Sequence, residues 1–577
     1  MNHKLALFWH RTGEAVLLFL AFVLPLAFYL KTYDSVTVKA ATLQLGTIAL
    51  IISWILKIIE RGRLEVPRAA WTMLAPALAL LAWAGLRFAL LEHRLPALPG
   101  FLNQLAFLAA FCVALLEYGG AGNARRLTGW TLRAAWIACL YGLAQKTGLD
   151  PFAWKGAFGG KVFSTFADPD ALAQFLALCL PLAMTRFMDP DRGSLGLLAD
   201  FALSLACAAV VVLTGSASGL GALAAQGLVF GFCALALLRN RAGLIGGTLG
   251  GALTLATAAL TFENFPSLKS HFLQGTGPFG AILGIALFGS VLLAAWRSAS
   301  RFQDQGSLGE AAYVVGLSAA LLGALFAGFF CPASAFPAPG WLVWPLAGIL
   351  GGLSLLAEKG PVTVLPLAWG EKTRRLAYGP LLAAALALGV FPVLWFRSDI
   401  HHNAGVWHAR QKHWDLAMAE WDRVRPDAPA YVMASYFKGN VYLESGKPER
   451  ALEQFALVQS QSPDYARVHF QKGLARLKLW DWAGAEADFA KAVRSEPDLP
   501  SAYRKLAEAA LAAGHLETAR RAALTAVALE PAEGANRQAL AAVFIKEKRG
   551  AEARRIIREG ELLRAAGRPG ADGKGLR

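Results

Sequence analysis

Acids and hydroxyls stand at the entrance to an apolar segment in STFADPDALAQFLALCLPLA, residues 164–183. Ser164, Asp168 and Asp170 are side chains of the kind that orient or activate a hydroxyl group in catalysis. An aspartate at the beginning of a helix can also cap free backbone amides. The residues leave two interpretations open, a cap for the helix that follows or a polar substrate site at a membrane surface.

The preceding segment, QKTGLDPFAWKGAFGGKVF, combines lysines, glycines and aromatic side chains. Such a loop beside a membrane could hold a phosphate or stack on sugar rings, although no single element of it is diagnostic. A second cation, Arg87, lies in the apolar stretch LAWAGLRFALL. A charge inside a membrane span usually faces a cavity or a partner, but an arginine near the end of a span can also extend to the membrane surface.

Other chemistries leave no recognisable pattern. The sequence contains no phosphate-binding loop ending in Lys-Ser/Thr, no HExxH and no GxSxG. The six cysteines have no paired spacing, so they suggest neither a zinc site nor a disulfide framework. Ser216 lies in VLTGSASGLGALAAQG, a glycine-rich stretch between two apolar segments, where close packing of membrane helices is one explanation.

The elements that carry these residues are predicted to be membrane helices. The 577 residues are 56% hydrophobic and 17% charged, a composition typical of a polytopic membrane protein. About thirteen apolar stretches are long enough to span a bilayer. They centre near residues 22, 48, 79, 107, 138, 178, 204, 228, 251, 287, 320, 349 and 387. We therefore predict an all-α membrane domain of 12–13 transmembrane helices over residues 1–396.

Positive charge alternates between successive loops and predicts the topology. The net charge of +16 reflects lysines and arginines in short loops, which orient spans and do not indicate nucleic-acid binding. The more positive loops belong in the cytoplasm, together with the amino terminus. The segment 146–169, the turn at Ser216 and the segment 262–277 are then outside. An odd number of spans also places everything after residue 396 outside, which is the periplasm in a Gram-negative cell.

Residues 397–565 show a period of 34. Alanines recur at this spacing, most of them are followed four residues later by a large side chain, and prolines recur with the same period. The alanines are Ala417, Ala451, Ala485, Ala519 and Ala553. This is the tetratricopeptide period and its small-then-large pattern, here in about five units. The resulting α-solenoid has a concave surface suited to a protein partner. Residues 566–577 are predicted to be a disordered tail.

GLAQKTGLDPFAW followed by STFADPDALAQFLALCLPLA resembles the signature region of the O-antigen ligase and polymerase superfamily, which includes bacterial protein O-oligosaccharyltransferases. The residues that match are Ser164, Thr165, Phe166, Pro169, Leu180, Pro181 and Leu182. VVLTGSASGLGALAAQG is similar to the next motif of that superfamily, and SHFLQGTGPFGAILGIALF resembles the segment that closes its large outer loop. Many members also carry tetratricopeptide repeats, so the resemblance covers most of the chain.

The resemblance implies transfer of a glycan from a polyprenyl diphosphate lipid to an acceptor on the outer face of the bacterial inner membrane. The acceptor would be a lipid A core, a polysaccharide or a protein, and no metal or other cofactor is implied. His271 or Lys269 would serve the acceptor, and Arg87 with Lys161 would stabilise the leaving diphosphate. The remaining residues of the implied substrate site are Ser164, Asp168, Asp170 and Ser216.

Two departures from that family pattern support a second hypothesis. Ala217 follows Ser216 where the family carries arginine, and the outer loop shrinks to TFENFPSLKSHFLQGTG. The alternative is a catalytically degenerate membrane scaffold whose repeats recruit cell-envelope proteins. A transporter is a third possibility, but the sequence shows no paired, interrupted half-helices of the kind that mark a transport site.

Overall fold

The computed structural model describes most of the chain. The described residues are 3–32, 35–94, 97–152, 154, 160–187, 192–237, 272–330, 337–358, 360–367, 369–463, 465, 467–531 and 533–566. Within them the chain divides into two compact units, Met1–Ile400 and His401–Arg577. The predicted domain boundary after residue 396 lies close to this division. The predicted disordered tail lies outside the described residues, except for Ala566, which ends a helix.

The first unit is built from twelve described helices. They are α1 (His3–Leu26), α2 (Ser35–Arg61), α3 (Trp71–Leu90), α4 (Leu98–Glu117), α5 (Ala121–Lys146), α6 (Pro169–Phe187), α7 (Ser194–Thr214), α8 (Ala217–Leu237), α9 (Phe272–Asp304), α10 (Leu308–Phe330), α11 (Pro337–Glu358) and α12 (Glu371–Arg410), whose last residues belong to the second unit. Each predicted span centre falls in one of these helices, apart from the centre near residue 251, which lies outside the described residues.

Eight helices of the described chain are long and apolar enough to cross a membrane, by length and composition alone. They are α1, α2, α3 with the residues just before it, α4, α7, α9 from Ile282, α11 and α12. This number is smaller than the 12–13 that the apolar stretches predict. Polar residues within the helices contribute to the difference, since α5, for example, carries Arg125, Arg126 and Arg133 within its length.

Helix α11 is the centre of the first unit, and nearly all of its residues are buried. It packs against α4, α9 and α10. Small residues permit the approach to α4, because a Cβ atom added to Gly352 would lie only 2.4 Å from Gly119 Cα. At Gly348 an added Cβ would lie 2.5 Å from the carbonyl oxygen of Phe111. Small residues at a helix interface are typical of membrane helix packing.

Two short strands connect the ends of helices that are far apart in the sequence. Strand β1 (Arg63–Pro67) follows α2, and strand β2 (Val362–Pro366) precedes α12. They pair antiparallel, with Leu64 opposite Leu365 and Val66 opposite Thr363. Val66 is buried in the core of the unit. The apolar-length analysis predicted no strands, because a five-residue segment leaves little periodic signal.

The second unit is a helical-repeat array with 34-residue units. Its remaining helices are α13 (Trp414–Trp421), α14 (Ala430–Glu444), α15 (Pro448–Gln461), α16 (Val468–Lys478), α17 (Trp482–Ser495), α18 (Pro500–Ala513), α19 (Leu516–Leu529), α20 (Gly534–Lys546) and α21 (Gly550–Ala566). Consecutive helices pack in pairs joined by short turns. All five periodic alanines are buried.

A second periodic position explains how each pair closes. An added Cβ at Gly439 would lie 2.4 Å from the ring of Phe455, and one at Gly473 would lie 2.7 Å from the ring of Phe489. Phe455 and Phe489 therefore each pack against a glycine 16 residues earlier. In the next unit the corresponding residues are Ala507 and Ala523, both buried. Ala523, four residues after Ala519, is the one small side chain at the position where the other units have a large one. Ala507 in place of glycine compensates for part of the lost volume.

Candidate functional site

The STF residues form a tight, buried turn between α5 and α6. Ser164–Phe166 is a single 3₁₀ turn, and Ser164 and Ala167 both have positive φ, at 50° and 53°. The Ser164 hydroxyl donates to the Ala138 carbonyl at 2.8 Å, and its amide donates to Gln145 Oε1 at 2.7 Å. Non-glycine residues in this conformation cost free energy and persist where the surroundings hold them, often at functional sites.

A buried lysine connects this turn to the end of α1. The Lys39 ammonium donates to the carbonyls of Pro25 at 2.9 Å and Ala27 at 2.7 Å, and it lies 4.8 Å from the Phe166 ring centroid. The Thr165 hydroxyl donates to the same Pro25 carbonyl at 2.9 Å. Lys39 was not predicted as a site residue, although a lysine at the start of an apolar stretch is a recognisable signal.

The two aspartates of the DPD turn have different roles. Asp168 Oδ1 accepts from the Ala171 amide at 2.8 Å, so the capping interpretation describes Asp168. Asp170 instead accepts from the hydroxyls of Ser216 at 2.5 Å and Ser218 at 3.4 Å, both at the start of α8. The capping alternative therefore applies to Asp168, whereas Asp170 joins two turns and its predicted role in a substrate site stays a prediction.

The turn between α7 and α8 completes the polar cluster. The Ser216 hydroxyl donates to Asp170 and accepts from the Gly219 amide at 3.0 Å, so it also caps α8. Gly215 has a φ of +60°, and a Cβ added there would lie 3.4 Å from Cε of Lys161, whose side chain extends over this turn. We call Lys161, Ser164, Asp168, Asp170 and Ser216 the motif cluster. The structure brings these five predicted residues to adjoining turns.

Asp150 fixes the loop that precedes the motif cluster. Its carboxylate accepts from the Tyr141 hydroxyl at 2.7 Å, from Gln145 Nε2 at 3.0 Å and from the Phe152 amide at 3.0 Å. Burial acts to raise the pKa of Asp150, but these hydrogen bonds outweigh it, and the pKa lies below its ordinary value. Asp150 belongs to the stretch GLDPFAW, and the sequence alone did not predict its role.

Aromatic rings surround this carboxylate on the same loop. Trp154 Nε1 donates to the Tyr141 hydroxyl at 3.0 Å, and the Trp154 ring lies 5.2 Å from that of Phe163. Phe152 packs against Phe28 at the end of α1, with ring centroids 5.3 Å apart. The loop is therefore held against both α1 and α5, next to the motif cluster.

Gln174 is a further polar residue that the sequence analysis missed. It lies one turn after Asp170 on α6 and is only 6% exposed. Among the described residues, neither its amide oxygen nor its amide nitrogen has a hydrogen-bond partner. A buried amide in this state is uncommon in folded proteins. The only signal in the sequence was a glutamine inside an apolar helix.

The other predicted catalytic residues are not part of the motif cluster as described. His271 and Lys269 lie outside the described residues. Arg87 is exposed near the C-terminal end of α3, and the principal packing partners of that helix are α4 and α9 rather than α6 or α8. No group of three or more His, Cys, Asp or Glu side chains suited to a metal ion occurs in the described part of the chain.

A second candidate surface is a groove of about 580 Å³ in the repeat unit. Its lining residues come from the first helices of three consecutive pairs. They are Asn440, Leu443, Glu444, Gln471, Leu474, Leu477, Lys478 and Lys505. The first helices α14, α16, α18 and α20 carry eight lysines and arginines against two glutamates, whereas the second helices α15, α17, α19 and α21 carry nine against eight acids. The positive charge is concentrated on the helices that line the groove.

No protein-family model matches the chain, and no curated protein matches it either. Several solved structures match part of it. MamA from MSR-1 is 22% identical at a TM-score of 0.27, over 30% of this chain and 98% of the MamA chain. MamA from Desulfovibrio magneticus RS-1 is 20% identical at a TM-score of 0.28, over 30% of this chain and 97% of its own. Likeness at these TM-scores carries no argument about function, and the repeat arrangement rests on the helix pairs of this chain.

Proposed function

We propose that this chain is a glycosyltransferase of the bacterial inner membrane that resembles O-antigen ligases. It would move a glycan from a polyprenyl diphosphate lipid to an acceptor on the outer face. The observation that carries the proposal is the contact between Asp170 and the Ser216 and Ser218 hydroxyls. This contact joins the two motifs that carry the family resemblance, although they are 46 residues apart.

The chemistry requires two kinds of group at one place. The bond between the sugar and the diphosphate breaks, a bond to the acceptor oxygen forms, and the acceptor hydroxyl loses a proton. A cation must stabilise the leaving diphosphate, and Lys161 is the exposed cation of the motif cluster. Asp170 is the carboxylate that can give up its contact with a serine hydroxyl, orient the acceptor hydroxyl and take its proton. Arg87, His271 and Lys269 remain candidates for additional charge and acceptor contacts.

Pairwise contacts between loops support the proposed orientation. Strands β1 and β2 pair, and the charge pattern assigns both of their loops to the cytoplasm. Such pairing requires an even number of crossings between residues 67 and 362, and ten spans are predicted there. On the opposite side, Thr165 contacts Pro25, and Asp170 contacts Ser216. With one further crossing by α12, the proposal puts the repeats in the periplasm of a Gram-negative cell.

The transferase proposal can be tested with matched aspartate variants. Asp170→Asn should abolish glycan transfer in cells, followed as surface polysaccharide or glycoprotein on a gel, because the amide cannot take the acceptor proton. Asp168→Asn keeps the helix cap and should retain transfer. Arg87→Gln and His271→Ala test the residues assigned by resemblance. Full glycan output from the Asp170, Arg87 and His271 variants, with loss of output only on deleting the repeats, would remove the transferase proposal.

The basic groove favours a second candidate function, a scaffold that recruits an acidic protein segment through tetratricopeptide-type repeats. The Lys478 ammonium donates to the Leu443 carbonyl at 2.6 Å, and Lys505 lies beside Glu508. Leucines between these lysines offer apolar contacts. Such a groove suits an extended peptide with alternating acidic and apolar side chains.

A defined peptide tests the groove directly. A fluorescent peptide of alternating glutamate and leucine should bind the full chain, and a lysine-leucine peptide should not. Lys478→Glu with Lys505→Glu should weaken the glutamate peptide at least about tenfold, since two favourable charges become repulsive. Arg521→Glu with Arg554→Glu, two exposed reversals on α19 and α21, is the matched control. Equal weakening by the control would show that net charge, and not the groove, determines binding.

A further inference from the structure

The outer face of the two-stranded ribbon has an unusual division of side chains. Because directly opposed residues share a face, Arg63 and Glu65 of β1 lie on the same face as Val362, Val364 and Pro366 of β2. Arg63 and Glu65 form an ion pair at 2.7 Å. Val362 and Val364 are each 49% exposed. When one face of a sheet lies in water, that face normally carries polar residues. On this face of the ribbon, β1 contributes the polar residues and β2 contributes exposed valines.

The position of the ribbon in the chain limits what can cover these valines. Strand β1 lies between candidate spans Val36–Arg61 and Arg68–Leu90, and β2 lies between Pro337–Glu358 and Glu371–Arg410. Only a few residues separate each strand from the spans on either side. If these four helices cross a bilayer, the ribbon must lie at the level of the lipid headgroups.

The surrounding side chains match that environment. Exposed cations flank the ribbon, and two exposed tryptophans stand at its ends. The cations are Arg61, Arg68, Lys372 and Arg375, and the tryptophans are Trp71 and Trp369. Tryptophan is enriched at the membrane interface, and arginine and lysine there can bind lipid phosphates. Pro67 and Pro366 end the two strands and Pro361 precedes β2, and these prolines lack the backbone N–H that an added strand would need.

We propose that this ribbon is a lipid-binding surface, whose β2 row inserts into the headgroup layer of the cytoplasmic leaflet while the ion-paired β1 row faces water. The occupant is the phospholipid headgroup, contacted by the flanking cations and by Val362 and Val364. The ribbon would then fix the depth of four helix ends at one membrane surface. This inference rests on the proposed membrane location, but not on any transferase activity.

Nitroxide labels on the full chain measure the depth of each row. Single variants Val364→Cys, Arg63→Cys and Leu386→Cys would be labelled in vesicles of phosphatidylethanolamine and phosphatidylglycerol. Leu386 is 75% exposed on α12 and serves as the lipid reference. The four described cysteines are buried or half-buried, so the unsubstituted chain gives the labelling background. Collisions with oxygen report lipid, and collisions with a water-soluble nickel chelate report water.

We expect the label at residue 364 to lie on the order of 5 Å inside the headgroup boundary, as interfacial segments do. The label at residue 63 should be open to nickel, and the label at residue 386 should be protected from it. Equal nickel access at residues 364 and 63, with residue 386 protected, overturns the ribbon proposal and leaves the membrane location standing. Nickel access at residue 386 as well removes the membrane location, and the ribbon proposal with it.

Discussion

The motif cluster and the repeat unit are held together by different kinds of contact. In the repeats, one contact recurs, with a large ring such as Phe455 or Phe489 against a glycine 16 residues earlier. In the motif cluster, each contact occurs once and joins distant residues, such as Thr165 with Pro25 and Asp170 with Ser216. A contact that recurs can be predicted from residue spacing, because five units share one 34-residue register. A unique contact between polar residues leaves no spacing to read.

The two regions should also respond differently to substitutions. Repeat stability is spread over units that contact only their neighbours, so damage should remain local. The motif cluster joins the buried hydroxyls of Ser164 and Ser216 to half-buried carboxylates, and losing a single partner there leaves others unsatisfied. Substitutions in the repeats should therefore change stability most, and substitutions in the motif cluster should change function at a smaller cost in stability.

The largest loss of stability should come from Phe489→Ala. The ring is fully buried between α16 and α17 and packs on Gly473, which cannot fill the space left behind. Large-to-small changes of this kind cost about 3–5 kcal/mol. Hydrogen exchange of the full chain should show that loss in α16 and α17, with α20 and α21 nearly unchanged. Loss spread equally over all repeats would contradict the local arrangement.

Ala507 and Ala523 allow a test of whether these two positions pair in the same way as Gly473 and Phe489. Ala523→Phe should destabilise α18 and α19 by about 1–3 kcal/mol, because Ala507 occupies the space that a ring would need. Adding Ala507→Gly recreates the pair seen at Gly473 and Phe489, so it should recover most of the loss. Exchange rates in α18 and α19 measure both steps. If the second substitution adds to the damage, the two positions do not form an equivalent pair.

The sequence predicts the repeats better than the motif cluster, because recurring contacts leave a periodic pattern and single contacts do not. The 34-residue period predicted the helix pairs and the buried alanines, and apolar length predicted most helices of the first unit. Neither could predict Lys39 or Asp150, because their hydrogen-bond partners are brought together only in the folded chain. Neither could predict the burial of the Gln174 amide, which depends on how α6 packs. The β-ribbon was missed for a similar reason, since its pairing joins segments almost three hundred residues apart.

In the motif cluster, Asp168→Ala should remove the α6 cap and cost about 0.5–2 kcal/mol. Asp168→Asn should lower the free energy of unfolding by only about a few tenths of a kcal/mol, because the amide oxygen of asparagine can still accept from the Ala171 amide. Exchange of the first amides of α6 in the full chain reports the difference. An equal loss in both variants would mean that the charge of Asp168, rather than its hydrogen bond, stabilises this helix.

The smallest effect concerns pH and a partly buried histidine in the repeats. Burial lowers the pKa of His469 below its ordinary value of 6.5, Lys472 and Lys491 act in the same direction, and Asp488 opposes them. The folded state therefore holds the proton less tightly than the unfolded state. Stability associated with His469 is complete above about pH 6.5 and declines as the pH falls below that value.

Exchange protection of α16, corrected for the intrinsic effect of pH on exchange, should thus be lower at about pH 5 than at about pH 7. His469→Gln cannot titrate in this range, so it should flatten the dependence. Lys472 and Arg476 contact the same Asp488 carboxylate, at 3.8 Å and 3.0 Å. Protection that rises on acidification would reverse the sign and show that the ion pair with Asp488 outweighs burial at His469.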